Sequence, residues 1–338
     1  MASVAVLSRL GHKKTKRSKM ILVTGATGFV GTALIARLLA DGLPVRAAIR
    51  RESALEKFKV ETAMVGDLSA ETDWQEAVAN VDAVIHTAAR VHVMSDGASD
   101  PLMEYRRTNL HGTLRLARQA AEAGVRRFVF VSSIKANGEA TSIGSAFSAD
   151  GPTAPVDPYG VSKLEAEQAL RELATKTGME VVIVRPPLVY GPGVKANFRT
   201  MMSIVARRIP LPLGGIAGNR RSMVSLDNLV DLLTSCVHHP AAGNQTFLVS
   251  DGEDLSTAQL LKRLGQAMGK PARLLPVPAS WLERGASMLG QAHVAQRLCG
   301  SLQVDISKTR DLLGWTPPIS VDEGLKRTAE GYWREASV

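Results

Sequence analysis

The sequence holds only two cysteines, Cys236 and Cys299. That is too few for a disulfide framework or a zinc site of their own, and it points to a reducing, cytoplasmic setting. No apolar run approaches the roughly 20 residues of a membrane span, because Arg, Lys, Asp or Pro interrupts each one. No acid precedes Met20, whereas Arg9, Lys13, Lys14, Lys16, Arg17 and Lys19 give +6 of the formal +9. Residues 20–338 therefore carry 35 basic against 32 acidic side chains, +3, too little charge for a nucleic-acid groove and its phosphates. In the basic segment 1–19 the apolar run Val4 to Leu7 is short and the charges follow it, opposite to a secretion signal. A disordered extension is expected there, with Met20 as a candidate start. The remaining 45% hydrophobic and 22% charged composition, with 29 Gly and 16 Pro spread along the chain, is that of a globular protein without repeats.

From Met20 onward, short β-branched runs alternate with amphipathic stretches. Met20 to Thr24, Val45 to Ile49, Thr62 to Val65, Val81 to His86, Phe128 to Ser132 and Val181 to Arg185 read as strands buried on both faces. Helices are predicted over Phe29 to Ala40, Asp73 to Val78, Thr108 to Ala123 and Pro158 to Thr177. Such alternation predicts an α/β fold, a doubly wound parallel sheet of the Rossmann type, over residues 20–186. Residues 187–338 read as a smaller, mostly helical lobe, with helices near Thr200 to Arg207, Asp227 to Val237 and Ser256 to Met268. Its strand Gln245 to Val249 is expected to return to the sheet.

The first strand runs into Gly25-Ala26-Thr27-Gly28-Phe29-Val30-Gly31 and then a helix. In Gly-x-x-Gly-x-x-Gly the first glycine allows the tight turn, the second lets backbone reach a pyrophosphate, and the third lets the helix pack closely. Arg50 and Arg51 end the second strand where an acid would select NAD, which favours NADP(H), with NAD(H) the alternative. Asp67, in Gly66-Asp67-Leu68, could meet the adenine amine. Tyr159 and Lys163 lie four apart on one helix, so they share a face. A cation ~4 Å from a phenol contributes about 4 kcal/mol at an effective dielectric of 20, enough to draw Tyr159 toward neutral pH as a general acid or base. Ser132-Ser133 ends a strand at the carboxyl edge of the sheet, where such folds bind ligands. His86, His92, His111, His238 and His239 show no ligand spacing with acids or thiols, so no metal is expected.

Together the glycine loop, Asp67-Leu68, His86-Thr87-Ala88-Ala89, Asn109-Leu110-His111-Gly112-Thr113, Ser132-Ser133, Tyr159-x-x-x-Lys163 and Leu312-Leu313-Gly314-Trp315-Thr316-Pro317 resemble the extended short-chain dehydrogenase/reductases acting on nucleotide sugars. The resemblance runs from about Met20 to Trp333. It implies that Ser133 orients the substrate oxygen, that Tyr159 transfers its proton, and that Lys163 also holds the nicotinamide ribose. It places Thr87, Ala88, Ala89, Arg90, Asn109 and Pro186 around the cofactor, and Asn197, Phe198 and Arg221 around a UDP-sugar diphosphate. An Arg fork suits a diphosphate. It also implies a homodimer through the 108–123 and 158–177 helices, although their apolar faces could equally pack on the sheet.

Sugar dehydratases of that kind carry Asp-Glu after the catalytic Ser or Thr, where this chain has Ile134-Lys135. Arg50, and Arg185-Pro186-Pro187-Leu188 after the sixth strand, favour net reduction. The strings Ser133 to Glu139 and Arg185 to Gly193 look like bacterial reductases that make UDP-N-acetylquinovosamine from UDP-4-keto-6-deoxy-GlcNAc for surface polysaccharide. The first alternative is a UDP-hexose 4-epimerase with retained NAD. A non-catalytic dinucleotide sensor or scaffold is the alternative of another class.

Overall fold

The computed structural model describes residues 20–51, 60–91, 100–288, 290 and 292–336. The basic segment 1–19 and His92 lie outside the described residues. Seven strands form one parallel sheet, in spatial order β3-β2-β1-β4-β5-β6-β9. They are β1 (Met20–Thr24), β2 (Val45–Ile49), β3 (Glu61–Met64), β4 (Val81–His86), β5 (Arg127–Val131), β6 (Glu180–Arg185) and β9 (Thr246–Leu248). A parallel pair of two further strands, β7 (Leu188–Tyr190) and β8 (Met223–Ser225), lies apart from it. The strand order reverses between β1 and β4, and a crevice opens at their carboxyl ends.

The helices are α1 (Phe29–Ala40), α2 (Gln75–Val78), α3 (Pro101–Tyr105), α4 (Thr113–Glu122), α5 (Pro158–Thr177), α6 (Ala196–Ala206), α7 (Leu226–His238), α8 (Thr257–Ala267), α9 (Ala279–Met288), α10 (Ala292–Cys299), α11 (Ser307–Leu313) and α12 (Val321–Ala336). One face of the sheet packs on α1 and α7 through Leu34, Ile35, Leu38, Leu229 and Leu233. The other packs on α4 and α5 through Leu116, Ala117, Ala120, Ala166 and Leu170. Part of the apolar surface of α4 and α5 thus packs on the sheet of the same chain, while Val161 and Leu164 on α5 remain half-buried.

Most predicted elements recur with ends displaced by a few residues, and two differences have visible causes. The helix expected from Asp73 is shortened to α2 because the Trp74 N–H donates to Gln119 Oε1 and the Gln75 N–H to Asp73 Oδ1. The helix expected from Thr108 opens instead as a π-helical turn, Arg106–Gly112, before α4. There the Asn109 amide is held by Arg90 and Ser162, and Gly112 lies so close to Leu68 that a Cβ would come within 2.7 Å of it. π-Turns of this kind are frequent at functional sites. The C-terminal lobe has its own core, where Tyr190 stacks on Phe198 at 5.5 Å and donates to Asp251.

Candidate active site

The crevice is built first from backbone. Gly25 takes φ +65°, and a Cβ there would lie 2.6 Å from Thr87 Oγ1 and 2.7 Å from Ala88 N, so only glycine lets the β1–α1 turn pass the loop after β4. A Cβ on Gly31 would fall 2.2 Å from the Gly25 carbonyl oxygen. Gly28 is the N-cap of α1 with no side-chain cap, and no acid sits in the first turn. The helix therefore presents first-turn N–H groups and the positive end of its dipole, with no carboxylate in its own first turn, which fits a dinucleotide pyrophosphate. Thr27, Gly28 and Phe29 border a cavity of about 870 Å³ with Pro192, Gly193 and Lys195. Val30 beside them is partly buried against the sheet core.

Thr87 Oγ1 donates to the Thr24 carbonyl, tying the loop Thr87-Ala88-Ala89-Arg90 to β1. Asn109 straps the other end: its Oδ1 accepts from Arg90 N, and its Nδ2 donates to Arg90 O and Ser162 Oγ. Both amide donors are used and the residue is buried. Asn109, expected at the cofactor, thus holds the loop Thr87 to Arg90 in place.

Asp157 caps α5 by accepting from Gly160 N, and Pro158 sets the first helical φ. Lys135 donates to Glu139 and Asp157, so the side chain at the dehydratase acid position anchors the start of α5. Tyr159 then stands edge-on to Tyr105, with ring centroids 6.0 Å apart. Ser133 follows β5, accepts from Lys135 N and hydrogen-bonds the Tyr159 phenol. Lys163 is buried with its Nζ 4.1 Å from the centre of the Phe130 ring. The structure thus brings the serine and the tyrosine together at the carboxyl edge of the sheet, and sets the lysine one turn along the same helix.

The electrostatics differ from the sequence expectation. Burial pushes the Tyr159 phenol up to about 12, opposed by the hydrogen bond from Ser133, and pushes Lys163 down to about 7, opposed by Glu167. Desolvation favours the neutral form of each group and is the largest cause for both. His86, buried between Thr24 Oγ1 and Thr113 Oγ1, is driven down to about 3 by burial and by Lys163, so it is neutral.

This gives a stability prediction. Lys163 binds its proton more weakly folded than unfolded, so its contribution rises with pH from about 7 toward 10.5, and the cost of burying its charge is full below 7. Lys163→Met is expected to raise the stability of the dinucleotide-free protein by about 2 kcal/mol at pH 6, and less as pH approaches 10. Thermal melts of both proteins across that range check it; equal melting temperatures at pH 6 would contradict it.

The remaining predicted residues scatter. Arg50 and Asp67 are both largely exposed and pair at 3.3 Å, so each is accessible to a ligand but neither is buried in a formed pocket. Leu68 packs against Gly112. The Pro186 carbonyl accepts from Ile134 N, bringing the end of β6 to the Ser133 turn. Asn197 is exposed on the first turn of α6. The Phe198 ring, expected at the substrate diphosphate, is buried in the lobe core against Tyr190. Arg221 Nη1 donates to the carbonyls of Arg297 and Gly300, with no carboxylate partner among the described residues.

A network that sequence reasoning missed lies beneath the serine. Glu167, one turn beyond Lys163, accepts from Ser132 Oγ and from Arg185 Nε and Nη2, while Arg185 Nη1 donates to Asn137. Both charged groups are buried. The available signal was an Arg closing an otherwise apolar strand and a Glu at i+4 from Lys163.

The NAD dependent epimerase/dehydratase family model matches residues 21–250. A Vibrio cholerae protein described as UDP-glucose 4-epimerase is 49% identical over 318 residues, covering 94% of this chain and 96% of its own length. Two solved structures share the fold. The Thermotoga maritima UDP-glucose 4-epimerase with UDP-glucose has TM-score 0.74 at 22% identity, covering 94% of this chain and 100% of its own. The Bacillus cereus UDP-glucuronic acid 4-epimerase, in complex with UDP-glucuronic acid and NAD, has TM-score 0.75 at 22% identity, covering 94% and 99%.

Proposed function

The chain belongs to the NAD dependent epimerase/dehydratase family, and from that premise we propose that it is a UDP-hexose 4-epimerase that retains its NAD. The observation that carries the proposal is the 49% identity, over nearly the full length of both chains, with a UDP-glucose 4-epimerase. It reverses the order in which the sequence alone ranked the reactions, with reduction first.

The residues divide the work as follows. The bare N-terminus of α1 and the loop Gly25 to Gly31 would hold the pyrophosphate, and the strapped loop Thr87 to Arg90 would border the ribose. A bound nicotinamide supplies the acceptor and donor of hydride for the C4 position of the sugar. Tyr159 exchanges a proton with the C4 oxygen, and Ser133, already hydrogen-bonded to that phenol, orients the same oxygen. Charge on that oxygen develops only as the C4 bond order changes, so donors fixed beforehand by β5 and α5 stabilise the transition state more than the ground state. Lys163, one turn on, supplies positive charge in its protonated form. Arg221 is assigned to the substrate diphosphate through the donors it does not spend on Arg297 and Gly300. A catalytically silent sensor would have no use for both Tyr159 and Lys163.

The second reading, an NADPH-consuming reductase of a UDP-4-keto sugar, is favoured by Arg50, which ends β2 exposed where a 2′-phosphate could be met. Acid extraction of the purified protein separates the two. Near-stoichiometric NAD, with interconversion of UDP-glucose and UDP-galactose and no added coenzyme, supports epimerisation. Protein that carries no dinucleotide and consumes one NADPH per UDP-4-keto sugar would replace it by reduction.

A further inference from the structure

Residues 207–216, residues 273–277, α9 and α10 form one sub-lobe. Leu211 N donates to Arg273 O, Leu275 N to Leu211 O and Gly214 N to Leu275 O, while Arg221 ties in the end of α10. Its surface breaks the usual pattern. Helix α9 contributes no buried residue, and Trp281 and Met288 on it are 69% and 88% exposed. Ile209, Leu275 and Val294 add to the exposed apolar set on neighbouring segments. Beneath α9 and α10 lies a cavity of about 290 Å³, lined by apolar side chains that include Leu213, Ile216, Leu282 and Leu298.

The charge around this set is one-sided. Segments 207–215 and 270–300 carry Arg207, Arg208, Lys270, Arg273, Arg284 and Arg297 against a single acid, Glu283. All six cations are exposed, and none pairs with a carboxylate among the described residues. These two segments hold +5, although residues 20–338 together hold only +3. The rest of that body is therefore net acidic.

We propose that this sub-lobe docks the enzyme on an anionic lipid surface, with Trp281, Met288 and their apolar neighbours entering the headgroup boundary and the six cations meeting lipid phosphates. Exposed Trp with Met or Leu amid Lys and Arg is the composition of an interfacial anchor, and cations near a negatively charged leaflet are drawn to it over about a Debye length. A second copy is a poor occupant, because a two-fold interface would bring the six cations of one protomer against the same six of the other. No described helix is long and apolar enough to cross a membrane, so the contact lies in the interface plane.

Sedimentation of the full chain with vesicles of phosphatidylglycerol and phosphatidylcholine, set against phosphatidylcholine alone, tests the inference. Expected are binding only to the anionic vesicles, a blue shift of tryptophan emission, and weakening of both by salt. Trp74 and Trp315 are buried and Trp333 is half-buried against the lobe core, so the part of the shift that Trp281→Ser removes is the part that reports on Trp281. Trp281→Ser with Met288→Ser is expected to lose binding at least tenfold and keep its melting temperature, since both side chains are exposed. Three outcomes would overturn the inference: no binding to anionic vesicles, equal binding by the double variant, or a concentration-dependent dimer that the double variant abolishes. Preference for an oligonucleotide over the vesicles would assign the patch to nucleic acid and overturn it as well.

Discussion

Tyr159→Phe is expected to lower kcat by about 10³-fold while leaving bound dinucleotide and melting temperature nearly unchanged. The ring stays: Phe keeps the edge-on contact with Tyr105 at 6.0 Å and its place at the start of α5. Only the hydroxyl is removed, and with it the proton exchanged at the substrate oxygen, a contribution of typically 10² to 10⁴ in rate. The hydrogen bond to Ser133 is lost too, which leaves the serine hydroxyl in place but unpaired on that side. The phenol is pushed up to about 12 by burial, so the wild-type rate should rise with pH above neutrality as the ionised fraction grows. The Phe variant should show no such rise. Steady-state kinetics of both proteins, with the dinucleotide released and quantified from each, check the prediction. A Phe variant within tenfold of wild type would remove Tyr159 from the chemistry.

The second large effect is on stability. Glu167→Gln is expected to destabilise the protein by about 3–5 kcal/mol, because it strips the buried Arg185 guanidinium of its counter-charge. Arg185 is 2% exposed and would retain only Asn137 and an amide in place of the carboxylate. Replacing both partners, as Glu167→Gln with Arg185→Met, is expected to recover much of that loss, since no uncompensated charge remains. Urea unfolding of these two variants and of Arg185→Met alone measures the cycle. A single-variant loss below 1 kcal/mol would mean that the pair does not hold β6, the Ser132-Ser133 segment and α5 together.

The two effects meet at Ser132. Its hydroxyl donates to Glu167, and the next residue is the serine that touches the Tyr159 phenol. The buried pair therefore fixes the distance between the strand that carries Ser133 and the helix that carries Tyr159. Sub-ångström placement of such groups is what makes proton transfer efficient.

Much of this architecture was legible in the residues. The ends of α1 and α5 could be read because caps are local: Gly28 precedes one, Asp157-Pro158 opens the other, and Gly178, with φ +73°, closes it. The parallel sheet followed from continuous β-branched runs. What the sequence could not carry was non-local. The phenol and ammonium were expected to stabilise each other's charged forms, but desolvation is a property of the assembled fold and it acts on both groups in the opposite sense. The partners of Asn109, and Ser132 and Arg185 as partners of Glu167, lie 18 to 53 residues away, so their roles as strap and buried counter-ion could not be seen from spacing. Phe198 was placed at the substrate by resemblance alone, and the stack on Tyr190 that buries it depends on how the lobe closes. The preference for reduction rested on the Arg185-Pro186-Pro187-Leu188 segment, on the likeness of two short strings, and on Arg50, an exposed side chain whose meaning depends on a ligand.

The most direct test of the central claim is to follow UDP-glucose deuterated at C4 through the purified protein with no coenzyme added. The account predicts UDP-galactose that keeps the deuterium at C4, with no build-up of reduced coenzyme at equilibrium, because the same buried site removes and returns the label. Failure to form the C4 epimer, or product whose label has been exchanged away, would contradict it.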